Sequence, residues 1–110
     1  MIVIEVNRAA DEAASAMAAR RRASGSSAAL GTGTLLTDIG RNLELAVRAR
    51  DAMHEGGNPE ATKGFVTTLA SMIVEALVVA HDERVDIGWA VDDQLQAMRW
   101  DAEEAGHERQ

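Results

Sequence analysis

Glu75 is the residue that most needs a chemical explanation. Its carboxylate falls inside Gly64–Ala80, GFVTTLASMIVEALVVA, the densest run of large apolar residues in the chain. A carboxylate so placed serves a ligand or is neutralised by a partner, because an uncompensated buried charge is costly. Arg41 and Arg48 stand on the preceding apolar segment, and either could pair with it. Thr68, Ser71, Glu75 and Asp82 would then form a polar seam inside a bundle or a dimer. The ordinary catalytic arrangements are missing. His54, His81 and His107 lie far apart, without the spacing of a zinc helix, and read as solvated or as partners of helix ends. No serine sits in a nucleophile elbow, and with no cysteine there is no thiol chemistry, disulfide or Cys-ligated zinc. The acid pairs Asp82-Glu83, Asp92-Asp93 and Glu103-Glu104 read as solvated faces. Ser24–Thr34, SGSSAALGTGT, is a Gly- and Ser-rich connection that matches neither phosphate-loop pattern. The triplet Arg20, Arg21, Arg22 suits the negative end of a helix dipole, with an anion contact as the other use.

Composition limits the partners. The chain has 110 residues, enough for one domain (1–110) with a core of its own, though a dimer would help so small a core. Much of the apolar content is alanine, and Phe65, Trp89 and Trp100 are the only aromatic residues. That suits close-packed helices better than a β-sandwich. A formal net charge of −7 argues against nucleic acid, which needs a surplus of cations. Lys63 is the single lysine, and the excess of arginine over lysine reads as a coding bias. Met1–Val6 is too short and lacks the basic flank of a signal peptide, so a cytoplasmic location is expected. Gly64–Ala80 approaches the length of a membrane span. Glu75, with Thr67, Thr68 and Ser71 one and two turns before it, makes a core helix the better reading.

Four helices would carry these residues. Met1–Val6, MIVIEV, is β-prone and reads as an apolar lead-in, or as a strand pairing across a dimer. Asn7 is the expected N-cap of a helix from Arg8 to about Arg22, whose alanine-rich face buries little area and should hold least firmly. Thr34 is the expected cap of a second helix from Leu35 to about Glu55, ended by Gly56-Gly57. Asn58-Pro59 is the sharpest local signal: Asn as N-cap, Pro at the first helical position, Glu60 in the first turn. So short a turn makes helices two and three antiparallel neighbours. Helix three should run to about Glu83. Asp86 should cap a fourth helix, Ile87 to about Glu104, with a polar tail that frays. The expected fold is all-α: an antiparallel hairpin of three main helices (35–104) plus a weaker N-terminal helix and connection (1–34). The apolar circumference of helix three implies pairing into a homodimer.

The helix order and the segment VDIGWAVDDQLQAM resemble the MazG-type all-α nucleotide pyrophosphohydrolases. That family carries an E-x-x-E pair on one helix of a hairpin and an E-x-x-D pair on the next, and those acids hold the magnesium that engages a nucleoside triphosphate. Leu36–Val47 looks like the first metal helix, Thr68–Ala80 like the second, and Val85–Leu95 like the turn and last helix. The resemblance covers about two-thirds of the chain. On it, the first acid pair falls on Asp38 and Arg41 and the second on Thr68 and Ser71. One carboxylate of four remains, and Thr, Ser and Arg are poor ligands for magnesium. A shifted acid pair, Glu44 with Glu75, is the remaining route to a metal site.

The leading expectation is therefore a non-catalytic binding or interaction module that resembles this family, without a cofactor and partnered by its own copy, a nucleotide or a protein. Its candidate face is Asp38, Arg41, Glu44, Thr68, Ser71 and Glu75. The alternatives are an active magnesium-dependent pyrophosphohydrolase using Asp38, Glu44 and Glu75, and an unrelated regulatory or assembly protein.

Overall fold

The turn at Asn58 decides the topology. The Asn58 side chain accepts a hydrogen bond from the Glu60 amide at 3.0 Å, and Pro59 opens the helix that follows. In the computed structural model, which describes residues 1–25, 31–56 and 58–108, this turn joins α2 (Thr32–Gly56) to α3 (Pro59–Asp82) as an antiparallel hairpin. α1 (Ile2–Ala23) precedes them and α4 (Ile87–Glu108) follows. The described residues contain no strand, and the fold is an all-α bundle.

In space the order is α2, α3, α1, α4. α2 packs on α3, α3 on α1, and α1 on α4, while α1 and α2 do not pack against each other. The far ends of the hairpin are tied by Thr32, whose hydroxyl donates to Glu83 at 2.6 Å. α1 also runs opposite to α3: His81 lies 3.7 Å from Asp11, while Met17 and Arg21 reach toward Val74 and Glu75.

α1 starts earlier than the sequence predicts. Met1 is its N-cap position, and Asn7 lies inside the helix. The β-branched lead-in is helical because Val3, Val6, Ala10, Ala13, Ala14 and Met17 make one continuous stripe at helical spacing, all at least half-buried. Packing along that stripe overrides a weak local preference. Nor is α1 the loosest element. It lies between α3 and α4, and its alanines permit a close crossing. A Cβ built on Gly88 would collide with the Val3 carbonyl oxygen and lie 2.9 Å from Asn7 Cγ. Asn7 serves α4 instead of its own helix. Its Oδ1 accepts from the Gly88 amide at 2.8 Å, and its Nδ2 donates to Asp86 at 2.9 Å. Asp86 caps α4, as expected, by accepting from the Trp89 amide at 2.9 Å. These two hydrogen bonds, the backbone one first, hold the Asp86 carboxyl below its ordinary range.

α2 begins at Thr32, so Thr34 is not its cap; the Gly31 carbonyl accepts from the Thr34 and Leu35 amides. Residues 26–30 of the Ser24–Thr34 connection lie outside the described residues. α3 ends in a Schellman turn, with Arg84 in the left-handed region at φ 58° and Val85 N–H donating to the Ala80 carbonyl. α4 continues to Glu108, beyond the predicted end.

Among the described residues only Ala10, Leu35, Ala46, Val78 and Ala80 are buried apolar residues, with Leu35 1% and Val78 2% exposed. α3 is central in the order of helices but covered on one side only. It is long and apolar enough to cross a membrane, a weak signal that the core helices of soluble proteins share, and 11% of its apolar window is buried.

Candidate functional site

The hairpin has two sides of different character. Leu36, Leu43 and Val47 recur on α2 at i, i+7 and i+11, and Val66, Leu69 and Ile73 on α3 at i, i+3 and i+7; all six are exposed. With about 3.6 residues per turn, each stripe stands roughly a quarter-turn from its helix's contact with the other. Because the helices are antiparallel, both stripes emerge on the same side of the pair. Ile73 is 62% and Val66 60% exposed. A contiguous apolar side this open is uncommon on a monomeric protein.

The opposite side holds a cleft of about 700 Å³. α3 forms its floor through Ala70, Ser71, Val74 and Glu75, with Thr67 at one end. α2 supplies a wall of Leu35, Asp38 and Asn42, and α1 supplies the other wall of Met17, Arg20 and Arg21. Glu75 is half-buried and accepts a hydrogen bond from Asn42 Nδ2 at 2.6 Å. The expected pair with Arg41 or Arg48 is not formed. Arg41 lies 3.7 Å from Asp38 on its own helix, and Arg48 makes no ion pair among the described residues. Asn42 is the partner instead, through the helix phase that packing gives α2. It sits seven residues after Leu35 and four before Ala46, both buried, and so shares their stripe. Arg41 is about 100° away from Asn42 around the helix.

The six candidate residues therefore divide. Asp38, Ser71 and Glu75 line the cleft. Arg41 and Glu44 are exposed and do not line it. Thr68 turns its hydroxyl back to the Gly64 carbonyl at 2.8 Å. A magnesium site fits this arrangement poorly. Asp38 is drawn toward Arg41, Glu75 toward Asn42, and Glu44 is elsewhere. Among the described residues no three His, Cys, Asp or Glu side chains are grouped to hold a metal. Glu75 and Asn42 together make a structural polar contact across the hairpin, of the kind that fixes register between helices.

Arg20, Arg21 and Arg22 lie in the last turn of α1, as the sequence predicts, with Arg20 and Arg22 exposed; Arg20 and Arg21 also line the cleft. Arg21 is half-buried, its Nη2 lies 3.1 Å from the Met17 sulfur, and its Nε is buried without a partner.

No family model, curated protein or solved structure matches this chain.

Proposed function

We propose that this chain is a non-catalytic helical interaction module that works as a homodimer, joined through the apolar side of the α2–α3 hairpin. The observation that carries the reading is surface. A compact monomer of 11.7 kDa exposes about 5,900 Å², whereas this chain exposes 8235 Å². The excess of roughly 2,300 Å² per chain is on the scale of an obligate dimer interface. The radius of gyration points the same way, 17.5 Å against about 13 Å for a compact chain of this length. A second copy is the occupant favoured over a bilayer. Around α3 the apolar stripe is one-sided, and Ser71 and Glu75 lie toward the cleft on the other side. A net charge of −7 also disfavours anionic lipid.

On the MazG-type resemblance, α2 and α3 would be the two metal helices with most of their acids replaced. The pyrophosphohydrolase reading keeps one observation in its favour, the presence of Asp38 and Glu75 in one cleft. Magnesium-dependent release of pyrophosphate from nucleoside triphosphates, lost on Asp38→Asn, would restore that reading.

Light scattering at micromolar concentration tests the proposal. The expected mass is twice that of the chain. Ile73→Asp should yield a monomer or an unfolded chain, because the new charge would be buried in the interface without a partner. A well-folded wild-type monomer overturns the dimer. If Ile73 is merely a surface residue, Ile73→Asp changes stability by no more than about 0.5 kcal/mol. Flotation of the protein with neutral vesicles would assign the apolar side to lipid instead.

A further inference from the structure

The cleft lies on the side of the hairpin away from the proposed dimer contact, so its use is a separate question. Its walls carry opposite charge. α1 contributes two guanidinium groups, Arg20 and Arg21, while α2 and the floor contribute the carboxylates of Asp38 and Glu75. Yet the walls do not neutralise each other. Neither arginine lies within 4.0 Å of a carboxylate among the described residues, and α1 and α2 make no packing contact. Arg21 keeps a buried Nε without an acceptor, beside a thioether that is a weak one. A half-buried guanidinium in that state lacks the oxyanion that its planar set of donors is shaped to hold. Between the charged walls the floor exposes Ala70 and Val74, with Ser71 beside them. The volume is within the range of small-molecule sites.

We infer that this cleft binds a small zwitterion. Its oxyanion, a carboxylate or a phosphate, lies against Arg20 and Arg21. Its ammonium group lies toward Asp38 and Glu75, and its apolar body rests on Ala70 and Val74. An oxyanion gives the guanidinium groups of Arg20 and Arg21, neither of which has a carboxylate within 4.0 Å among the described residues, an anionic partner. An ammonium can share the free oxygen of Glu75, whose other oxygen is already held by Asn42 at 2.6 Å. A ligand with only one charge engages one wall and forgoes the attraction of the other. The site thus selects for two charges separated by an apolar spacer.

Calorimetric titration of the full chain tests this with four probes. The dipeptide Leu-Leu presents a carboxylate and an ammonium, and O-phosphoethanolamine a phosphate and an ammonium. Hexanoate and hexylamine each present one charge. At least one zwitterion should bind at least tenfold more tightly than both single-charge probes, and the tighter of the two identifies the oxyanion. Arg21→Gln and Glu75→Gln should each weaken that binding about tenfold, with circular dichroism confirming an intact fold. If either variant fails to fold, Ser71→Phe, which fills the cleft from an exposed floor position, should abolish binding and leave the helices intact. Equal binding of all four probes overturns the inference. So does binding of none, or zwitterion binding that survives Ser71→Phe. Because the cleft and the apolar stripes lie on opposite sides, Ser71→Phe leaves the dimer mass unchanged. Loss of the dimer on Ile73→Asp, conversely, is read by light scattering and not by titration.

Discussion

The two ends of this molecule hold their helices together by opposite means. At the hairpin, α2 and α3 bring large side chains together but bury few of them. Leu35 and Val78 disappear, while Leu36, Leu43, Val66 and Ile73 remain open. At the other end, α1 and α4 meet through small and polar groups. Ala10 is 4% exposed, Gly88 admits no side chain, and Asn7 and Asp86 share hydrogen bonds across the crossing. The first contact stabilises by area, which grows with every side chain that a partner covers. The second depends on distance and geometry, and one added methyl group can destroy it. The α1–α4 crossing leaves no room for another side chain at Gly88, while the hairpin leaves one apolar side open.

The sharpest break in the comparison is Gly88→Ala. The added Cβ meets backbone at Val3, which cannot rotate away, as well as the Asn7 side chain. The helices must separate, and the Asn7–Gly88 hydrogen bond is lost with them. A loss of about 3 kcal/mol, at the upper end for overpacking, is expected in a urea melt. Alanine at Gly40 or Gly64, where nothing lies within 4 Å, should instead be neutral or slightly stabilising. Equal effects at all three positions would remove the distinction between the two ends.

How much of this was legible in the sequence follows the range of each interaction. The Asn58-Pro59 start and the Asp86 cap were readable because donor and acceptor lie within three residues. Asn7 was misread because its partners are about eighty residues away, and no local rule separates a cap from a long-range bridge. The β-prone lead-in was misread for a related reason, since its helix is fixed by what α4 packs against. Inside the hairpin the helices are legible but the facing residues are not: charge alone points to arginine as the partner of Glu75, whereas the helix phase set by Leu35 and Ala46 delivers Asn42. Of the candidate site, Asp38, Ser71 and Glu75 share a cleft, and the sequence does not place Arg20 and Arg21 beside them because those arginines belong to a helix distant in sequence.

That pairing gives the next test of the hairpin. Glu75→Leu removes the acceptor of a charge-assisted hydrogen bond and leaves the half-buried Asn42 amide unsatisfied, at a cost of about 1–3 kcal/mol. The double change Asn42→Leu and Glu75→Leu removes both polar groups and should recover most of the loss. Glu103→Gln on exposed helix surface serves as the neutral reference. Coupling close to zero in this double-mutant cycle would mean that the contact contributes nothing to register.

The polar end should respond to acid. The Asp86 carboxyl is depressed in the folded chain, first by the Trp89 amide and then by Asn7, with desolvation opposing. A depressed folded value means that the unfolded chain takes up the proton more readily. The contribution is therefore fully present above the ordinary carboxylate range. It is lost as pH falls through the folded value. Asp86→Asn retains a capping acceptor but has no charge to titrate. The stability advantage of the wild type over this variant, measured by thermal melts across pH, should shrink toward strong acid. A constant difference would mean that Asp86 acts only through geometry.

The smallest expected effect lies at the joint between the two ends. Arg84 adopts φ 58° at the residue after the α3 cap, a conformation that disfavours any side chain with a Cβ. The turn is kept because Val85 and Arg84 amides satisfy the Ala80 and His81 carbonyls, and because Asp86 must start α4 against Asn7. Glycine relieves the backbone strain of about 1–2 kcal/mol but gives the unfolded chain more freedom. The net expectation for Arg84→Gly is a gain of about 0.5–1 kcal/mol in denaturant melts. Arg84 makes no ion pair among the described residues, so little is lost with its charge. The gain should be the same in an Ile73→Asp background, because the turn is local and the hairpin's open side is on other residues. A gain that vanishes in that background would couple the joint to the dimer contact, and the two ends could no longer be treated as independent.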